Sequence, residues 1–212
     1  MKNFLMIVFV LVMVSSYTAA QEDGGKVEFT FEKMEVGKEL DGALSIDGEF
    51  LVAELDGGKV LELSPVPLVE CGLVLGLSLK GEGQITAKIR AGKKRRSTPR
   101  FGVGLHGISG YRLRVVPAQK QLELLRNEEV VKTATYDWQS GSWVTVRLVV
   151  TKVSDNKWGV SAKVWAGGEK EPELPALAIE TTEAPGNGKA SIWGTPYSGL
   201  PIYYDDIQIQ GK

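Results

Sequence analysis

Cysteine occurs once in the 212 residues, at Cys71, and histidine once, at His106. A single thiol excludes an intramolecular disulfide and any paired-cysteine zinc site, so stability has to come from a full-sized core. A single imidazole excludes an H-E-x-x-H metal helix and leaves one base for any histidine-driven chemistry. No Gly-x-Ser-x-Gly elbow is present either. Charge of one sign is also missing: Lys and Arg number 25 against 26 Asp and Glu, a net charge of -1. No global field draws the chain to nucleic acid or to an anionic membrane, and any anion binding has to be local. Hydrophobic residues make up 43% and charged residues 24%. That composition is too apolar for disorder and ordinary for a globular chain.

Long apolar runs are absent except at the start. Residues 1–20 place Lys2 before an apolar stretch and end on Ser15, Ser16, Tyr17, Thr18, Ala19 and Ala20. Positive, greasy, then small is the order of a secretory signal peptide. Cleavage is expected after Ala20, which predicts a secreted or periplasmic protein with no membrane insertion after signal cleavage. Residues 21–26 are expected to be a flexible N-terminus, and residues 27–212 one domain.

From Val27 onward the apolar residues alternate with period two, broken by Gly, Pro, Asn and Asp. This pattern favours short antiparallel strands. Strands are expected at 27–31, 50–54, 59–63, 73–79, 84–91, 101–106, 111–116, 121–126, 130–135, 144–150, 158–165, 177–181, 190–193 and 202–209. Asp56-Gly57-Gly58 is the turn of a hairpin. No 3.6-residue apolar stripe is long enough to cover a sheet, so the core has to be sheet on sheet. The fold class is all-β, an antiparallel two-sheet jelly-roll sandwich.

Parity assigns the faces, because a slip of one residue would expose every apolar side chain of a strand. Leu73, Leu75, Leu77 and Leu79 read as inward, as do Val144, Val146, Leu148 and Val150, with Trp158 and Val160. Outward positions carry Lys88 and Arg90, His106, Arg112 and Arg114, Arg147, Lys163 and Trp165, Ser191 and Trp193, and Tyr204 and Asp206. Indole beside Arg and Lys suits carbohydrate: sugar C–H faces lie on the ring, and Arg grips an oxyanion with two hydrogen bonds. The expected carbohydrate-binding set is therefore Trp165 and Trp193 with Arg112, Arg114, Arg147, Lys163 and His106. Ordinary solubility also scatters such cations over solvent faces.

Other chemistry is thinner. His106 with Tyr111 and Arg112 would make a proton-abstracting cluster of the kind a polysaccharide lyase needs. Glu54 and Asp56 share a strand face, but Gly57, Gly58 and Lys59 follow where the sandwich glucanase pattern Glu-x-Asp-x-x-Glu needs its third acid. Glu32 and Asp205, on the first and last expected strands, are candidate ligands of a structural calcium ion. Lys93-Lys94-Arg95-Arg96 is a basic run suited to phosphate or sulfate. No nucleic-acid-binding motif accompanies it.

Several segments resemble a known family: Arg100-Phe101-Gly102-Val103-Gly104-Leu105-His106-Gly107, Gly110-Tyr111-Arg112-Leu113-Arg114, residues 138–143, 163–169, 188–194 and 202–207. Together they are similar to bacterial extracellular concanavalin A-like (laminin-G/jelly-roll) domains over residues 27–210. The resemblance implies the architecture of lectins and glucanases, and none of the catalytic signatures of the family is present. A non-catalytic module is expected, binding an extracellular glycan or a cell-surface partner. The alternatives are a glycoside hydrolase or polysaccharide lyase on the same fold, and a protein-interaction domain without a sugar site.

Overall fold

The computed structural model describes residues 21–23, 25–66 and 69–211. The expected leader lies outside them. The alternation of apolar residues is realised as two antiparallel sheets with one apolar layer between them. In chain order the strands are β1 (Gln21–Asp23), β2 (Lys26–Phe29), β3 (Leu44–Ile46), β4 (Phe50–Leu55), β5 (Gly58–Leu63), β6 (Cys71–Lys80), β7 (Gly83–Ala91) and β8 (Arg100–Leu105). They continue with β9 (Tyr111–Val116), β10 (Gln121–Arg126), β11 (Glu129–Thr135), β12 (Trp143–Ser154), β13 (Lys157–Ala166), β14 (Leu177–Thr181), β15 (Asn187–Thr195) and β16 (Ile202–Gly211). One sheet runs β1-β2-β16-β7-β12-β13-β14, with the β4–β5 hairpin attached to β16. The other runs β11-β10-β9-β8-β15-β6-β3.

Every strand expected from the alternation is present. The two that the alternation did not anticipate, β1 and β3, have three residues each and lie at sheet edges, too short to show a period. The first lies within the expected flexible N-terminus, where Gln21–Asp23 pairs with β2. At Asp56-Gly57 both φ angles are positive, 52° and 88°, as a two-residue hairpin turn requires.

The inward parity holds at its centre: Leu75, Val146 and Val160 are at most 1% exposed. Cys71 is fully buried, packed as a small apolar side chain. Parity fails at two bulges. In β6 the register against β15 shifts between Lys189 and Ala190, so Gly76 and Leu77 have no partners, and Leu77 is only half-buried. In β16 the register against β7 shifts between Asp205 and Gln208, with Asp206 at φ 46°. The inserted residues let Tyr204 and Ile207 both face inward. Tyr204, expected outside, is therefore a core residue whose hydroxyl donates to the Trp193 carbonyl at 3.0 Å.

The difference between the regular and the bulged part of β6 can be measured. Leu75→Ala is expected to lose about 2–5 kcal/mol in urea unfolding, as for a fully enclosed leucine. Leu77→Ala is expected to lose about half of that or less; equal losses would mean that the bulge is absent.

Candidate functional site

The expected carbohydrate-binding residues fall into three separate places. Trp165, Lys163 and Arg147 stand on the outer face of the β7-β12-β13 region. Register sets Arg147 opposite Lys163 and Thr86, and Trp165 opposite Thr145. The Arg147 guanidinium lies 5.5 Å from the Trp165 ring centre. Its Nε donates to Thr86 Oγ1 at 2.9 Å and its Nη1 to Glu171 Oε2 at 2.5 Å. Lys163 Nζ takes the other Glu171 oxygen at 2.9 Å. The Lys163 hydrogen bond and the Arg147 charge together hold the Glu171 carboxyl below the usual range. Both cations expected to meet a ligand anion are thus held by an internal carboxylate.

Trp193, Arg112 and Arg114 lie on the other sheet. Trp193 is aligned with Gly72 of β6 on one side and Gly102 of β8 on the other. A Cβ at Gly72 would come within 2.7 Å of the indole, so glycine is what lets the ring lie flat on the sheet. The Arg112 guanidinium caps the ring at 4.3 Å, and Nε1 donates to Ser191 Oγ at 2.7 Å. Arg112 bonds Glu70 at 3.2 Å, while Arg114 bonds Glu123 at 2.8 Å and Glu70 at 3.4 Å. Trp193 is 7% exposed and Arg112 4%. The expectation that this tryptophan stacks on a sugar is corrected: both its faces are covered, and the cluster works as a small second core outside the sheet.

The calcium pair fares no better. Burial first, and then the charges of Asp206 and Glu32, push the Asp205 carboxyl above its usual range, which places the two expected ligands near each other. Glu32 Oε1 already accepts the Lys59 amide, however, and Asp205 Oδ1 accepts the Asp206 amide. Among the described residues no group of three or more His, Cys, Asp or Glu is placed to hold a metal. Calcium takes 6–8 oxygens, so Glu32 and Asp205 would supply only part of such a shell.

His106 marks the third place, a cleft of about 350 Å³ at one end of the sandwich. Its walls are the β8–β9 turn (106–110), Arg126 and Asn127 at the end of β10, and residues 184–187 before β15. The Asn127 amide donates to the Ser109 carbonyl at 3.3 Å, Arg126 Nη2 to the Ala184 carbonyl at 3.2 Å, and the Gly107 amide to the Lys189 carbonyl at 2.9 Å. A Cβ at Gly188 would lie 2.5 Å from the Gly107 nitrogen, so the two walls meet only because residue 188 has no side chain. His106, Asn127 and Glu128 all have positive φ, at 65°, 49° and 67°. Strained backbone of this kind persists only where the surrounding contacts enforce it.

His106 is 3% exposed and its Nε2 is 2.8 Å from the Gly81 carbonyl. Burial, helped by the Arg126 charge and opposed by the Gly81 bond, holds the imidazole below its ordinary pKa. At neutral pH it is uncharged and donates from Nε2, which leaves the buried Nδ1 as an acceptor with no partner among the described residues. Tyr111 does join His106 here, as the sequence suggested. The cation beside them is Arg126 rather than Arg112: its guanidinium lies 4.9 Å from the Tyr111 ring centre and bonds the hydroxyl. The side chains of Ser109, Asn127 and Asn187 have no partner among the described residues and stand exposed. Sequence reading passed over Ser109, Arg126, Asn127 and Asn187 as site residues. The one available signal was the glycine density at 104–110 and 186–188, which marks close approach of backbones.

No protein-family model matches the sequence, and no curated protein does. Solved structures do. The carbohydrate recognition domain of Emp47p superimposes at a TM-score of 0.56 over 91% of this chain and 100% of its own, with 13% identity. A Bacillus subtilis protein of galectin-like fold gives 0.56 over 80% and 89%, with 11% identity. The carbohydrate-binding module CBM66 from Bacillus subtilis gives 0.53 over 80% and 96%, with 9% identity. The chain has the galectin-like jelly-roll fold. This is the architecture that the concanavalin A-like resemblance implied, and at such identities the likeness concerns fold alone.

Two measurements follow from the geometry. Trp193→Ala is expected to cost about 3–5 kcal/mol of stability, as for a packed indole; Trp165→Ala, on an open face, is expected to cost far less. A depressed histidine pKa means that the unfolded chain takes up the proton first. Stability is therefore greatest above about pH 6.5 and falls as the pH drops below it, by at most about 1.4 kcal/mol per pH unit for one proton. His106→Asn, which suits the positive φ, is expected to flatten that slope between about pH 7 and pH 5 in denaturant titrations.

Proposed function

We propose that this protein is a non-catalytic, extracellular carbohydrate-binding module that takes a short saccharide in the His106 end cleft. The observation that carries the reading is the cleft itself. Its volume of about 350 Å³ lies at the lower end of the roughly 300–1,000 Å³ of small-molecule sites, the size of one or two sugar rings. The lining offers unused amide and hydroxyl groups from Asn127, Asn187 and Ser109, with the apolar surfaces of Ile108 and Pro185 beside them. Uncommitted neutral donors and acceptors beside small apolar surfaces match a ligand made of hydroxyls and C–H faces.

Binding is favoured over hydrolysis because none of the described residues lining the cleft is a carboxylate, whereas two-carboxylate glycosidases need a pair flanking the bond. Elimination is disfavoured because Tyr111, its only candidate base besides His106, is 1% exposed and has its hydroxyl held by Arg126. Two fold neighbours, a carbohydrate-binding module and a carbohydrate recognition domain, support the ligand class. The signal-peptide pattern of residues 1–20 supports an extracellular setting.

The test is titration calorimetry with neutral mono- to tetrasaccharides chosen from a glycan array. Asn187→Ala and Asn127→Gly, the latter chosen for its positive φ, are each expected to weaken binding about tenfold, near 1.4 kcal/mol. Trp165→Ala is expected to leave affinity unchanged. Loss of binding in Trp165→Ala with both asparagine variants intact would move the site to the sheet face.

A further inference from the structure

The end of the sandwich opposite the cleft carries a feature that the proposed saccharide site does not use. Residues 92–99 connect β7 in one sheet to β8 in the other, and Lys93, Lys94, Arg95 and Arg96 at their centre are all exposed. The segment is well held. Lys94 and Ser97 exchange backbone hydrogen bonds of 3.0 and 3.1 Å across a two-residue turn, with Arg95 at φ 57°. The Lys93 amide donates to Ser140 Oγ at 2.8 Å, and the Gly141 amide to the Ala91 carbonyl at 2.8 Å, so the turn is tied to the loop before β12.

Its charges are unmatched. Arg90, Arg112, Arg114, Arg126 and Arg147 each pair with at least one carboxylate. None of the four cations of the turn has an acidic partner among the described residues. In a chain of net charge -1, this is a concentrated positive projection on an otherwise balanced surface.

We propose that this turn is a second, independent binding site, for sulfated or uronate-bearing polysaccharide. Guanidinium groups grip sulfate and carboxylate through two parallel hydrogen bonds, and the lysines add point charges. Lys93 to Thr98 contains no apolar or aromatic side chain to enter a bilayer or to stack on bases, so the turn offers a ligand charge and hydrogen bonds alone. The exposed aromatic residue at this end, Tyr197, already has the Arg100 guanidinium over its ring at 5.6 Å. A narrow convex turn meets an extended polyanion from the side, where charge on successive sugars is accessible. The site needs nothing from the His106 cleft.

The experiment measures binding of the full chain to dextran sulfate and polygalacturonate against uncharged dextran, over 50–300 mM NaCl. A variant carrying K93Q, K94Q, R95N and R96Q is compared with one carrying K33Q, K38Q, K80Q and K170Q, which loses the same charge from four other exposed lysines. Thermal melting confirms that both fold. The native chain and the second variant are expected to bind the charged polymers with a log–log salt slope of about -3, the counterion release of four cations. The turn variant is expected to bind at least tenfold more weakly. Equal weakening of both variants would show attraction by net charge and overturn the site. Tighter binding of phosphatidylserine vesicles or duplex DNA than of either polysaccharide at equal salt would overturn the ligand class. Asn187→Ala leaves this binding unchanged, so the cleft and the turn stand or fall separately.

Discussion

Two apolar sheet faces have to meet with no covalent link between them. With one buried cysteine, the layer of Leu75, Val103, Val146, Leu148, Val160 and Ile192 is what holds the sheets together. Burial of such side chains contributes about 1.5–3 kcal/mol each. That requirement dictates the parity of the strands that cover the core, and parity in turn pushes the charged and indole-bearing positions outward. Outward groups on neighbouring strands then stand about 4.5–5.5 Å apart across the ladder, close enough to pair. Register sets Arg114 opposite Glu123 and Arg147 opposite Lys163, and Glu70 and Glu171 reach these cations from outside the strands.

This explains what the sequence could and could not show. The sandwich, the hairpin at Asp56-Gly57 and the inward leucines and valines are local properties of alternation and turn chemistry, so they are legible one strand at a time. Bulges are not: the residues that break register at Gly76-Leu77 and Asp206-Ile207 change no composition, yet the second bulge lets Tyr204 and Ile207 both enter the core. Cross-strand neighbours are hidden too. That Arg112 covers Trp193 depends on β9, β8 and β15 lying side by side, which no spacing along the chain reveals. The same gap exchanged Arg112 for Arg126 beside Tyr111, because β10 and β9 set Arg126 opposite Tyr111.

Two alternative fates of an outward tryptophan illustrate the point. Trp193 lies over Gly72, whose missing Cβ opens a trough, and it sinks until Arg112 closes over it. Trp165 faces Thr145, has no such trough and stays partly open beside Arg147. Residue type and parity are identical in the two cases. The residue on the neighbouring strand decides between packing and exposure.

The ladder also explains why unpaired polar groups collect at the ends of the sandwich. Within a sheet some cations are neutralised across the ladder, as Lys88 by Asp206, Arg114 by Glu123 and Lys157 by Glu180, and others by acids of the adjoining turns. Lys93, Lys94, Arg95 and Arg96 at one end have no acidic partner among the described residues, and the side chains of Ser109, Asn127 and Asn187 at the other have none of any kind there, so both groups keep their capacity for outside partners. The two ends differ in shape for the same reason that they differ in charge. Three turns pressed together through Gly188 enclose a concave, neutral cleft, whereas a single turn stapled to the 139–142 loop projects as a convex, positive one. Concavity with neutral donors selects a small hydroxyl-rich ligand that can be surrounded, and convexity with dense charge selects a long polyanion that can lie across it. Neither end draws on the apolar layer for its chemistry, so each can change its ligand without disturbing the packing that holds the sheets.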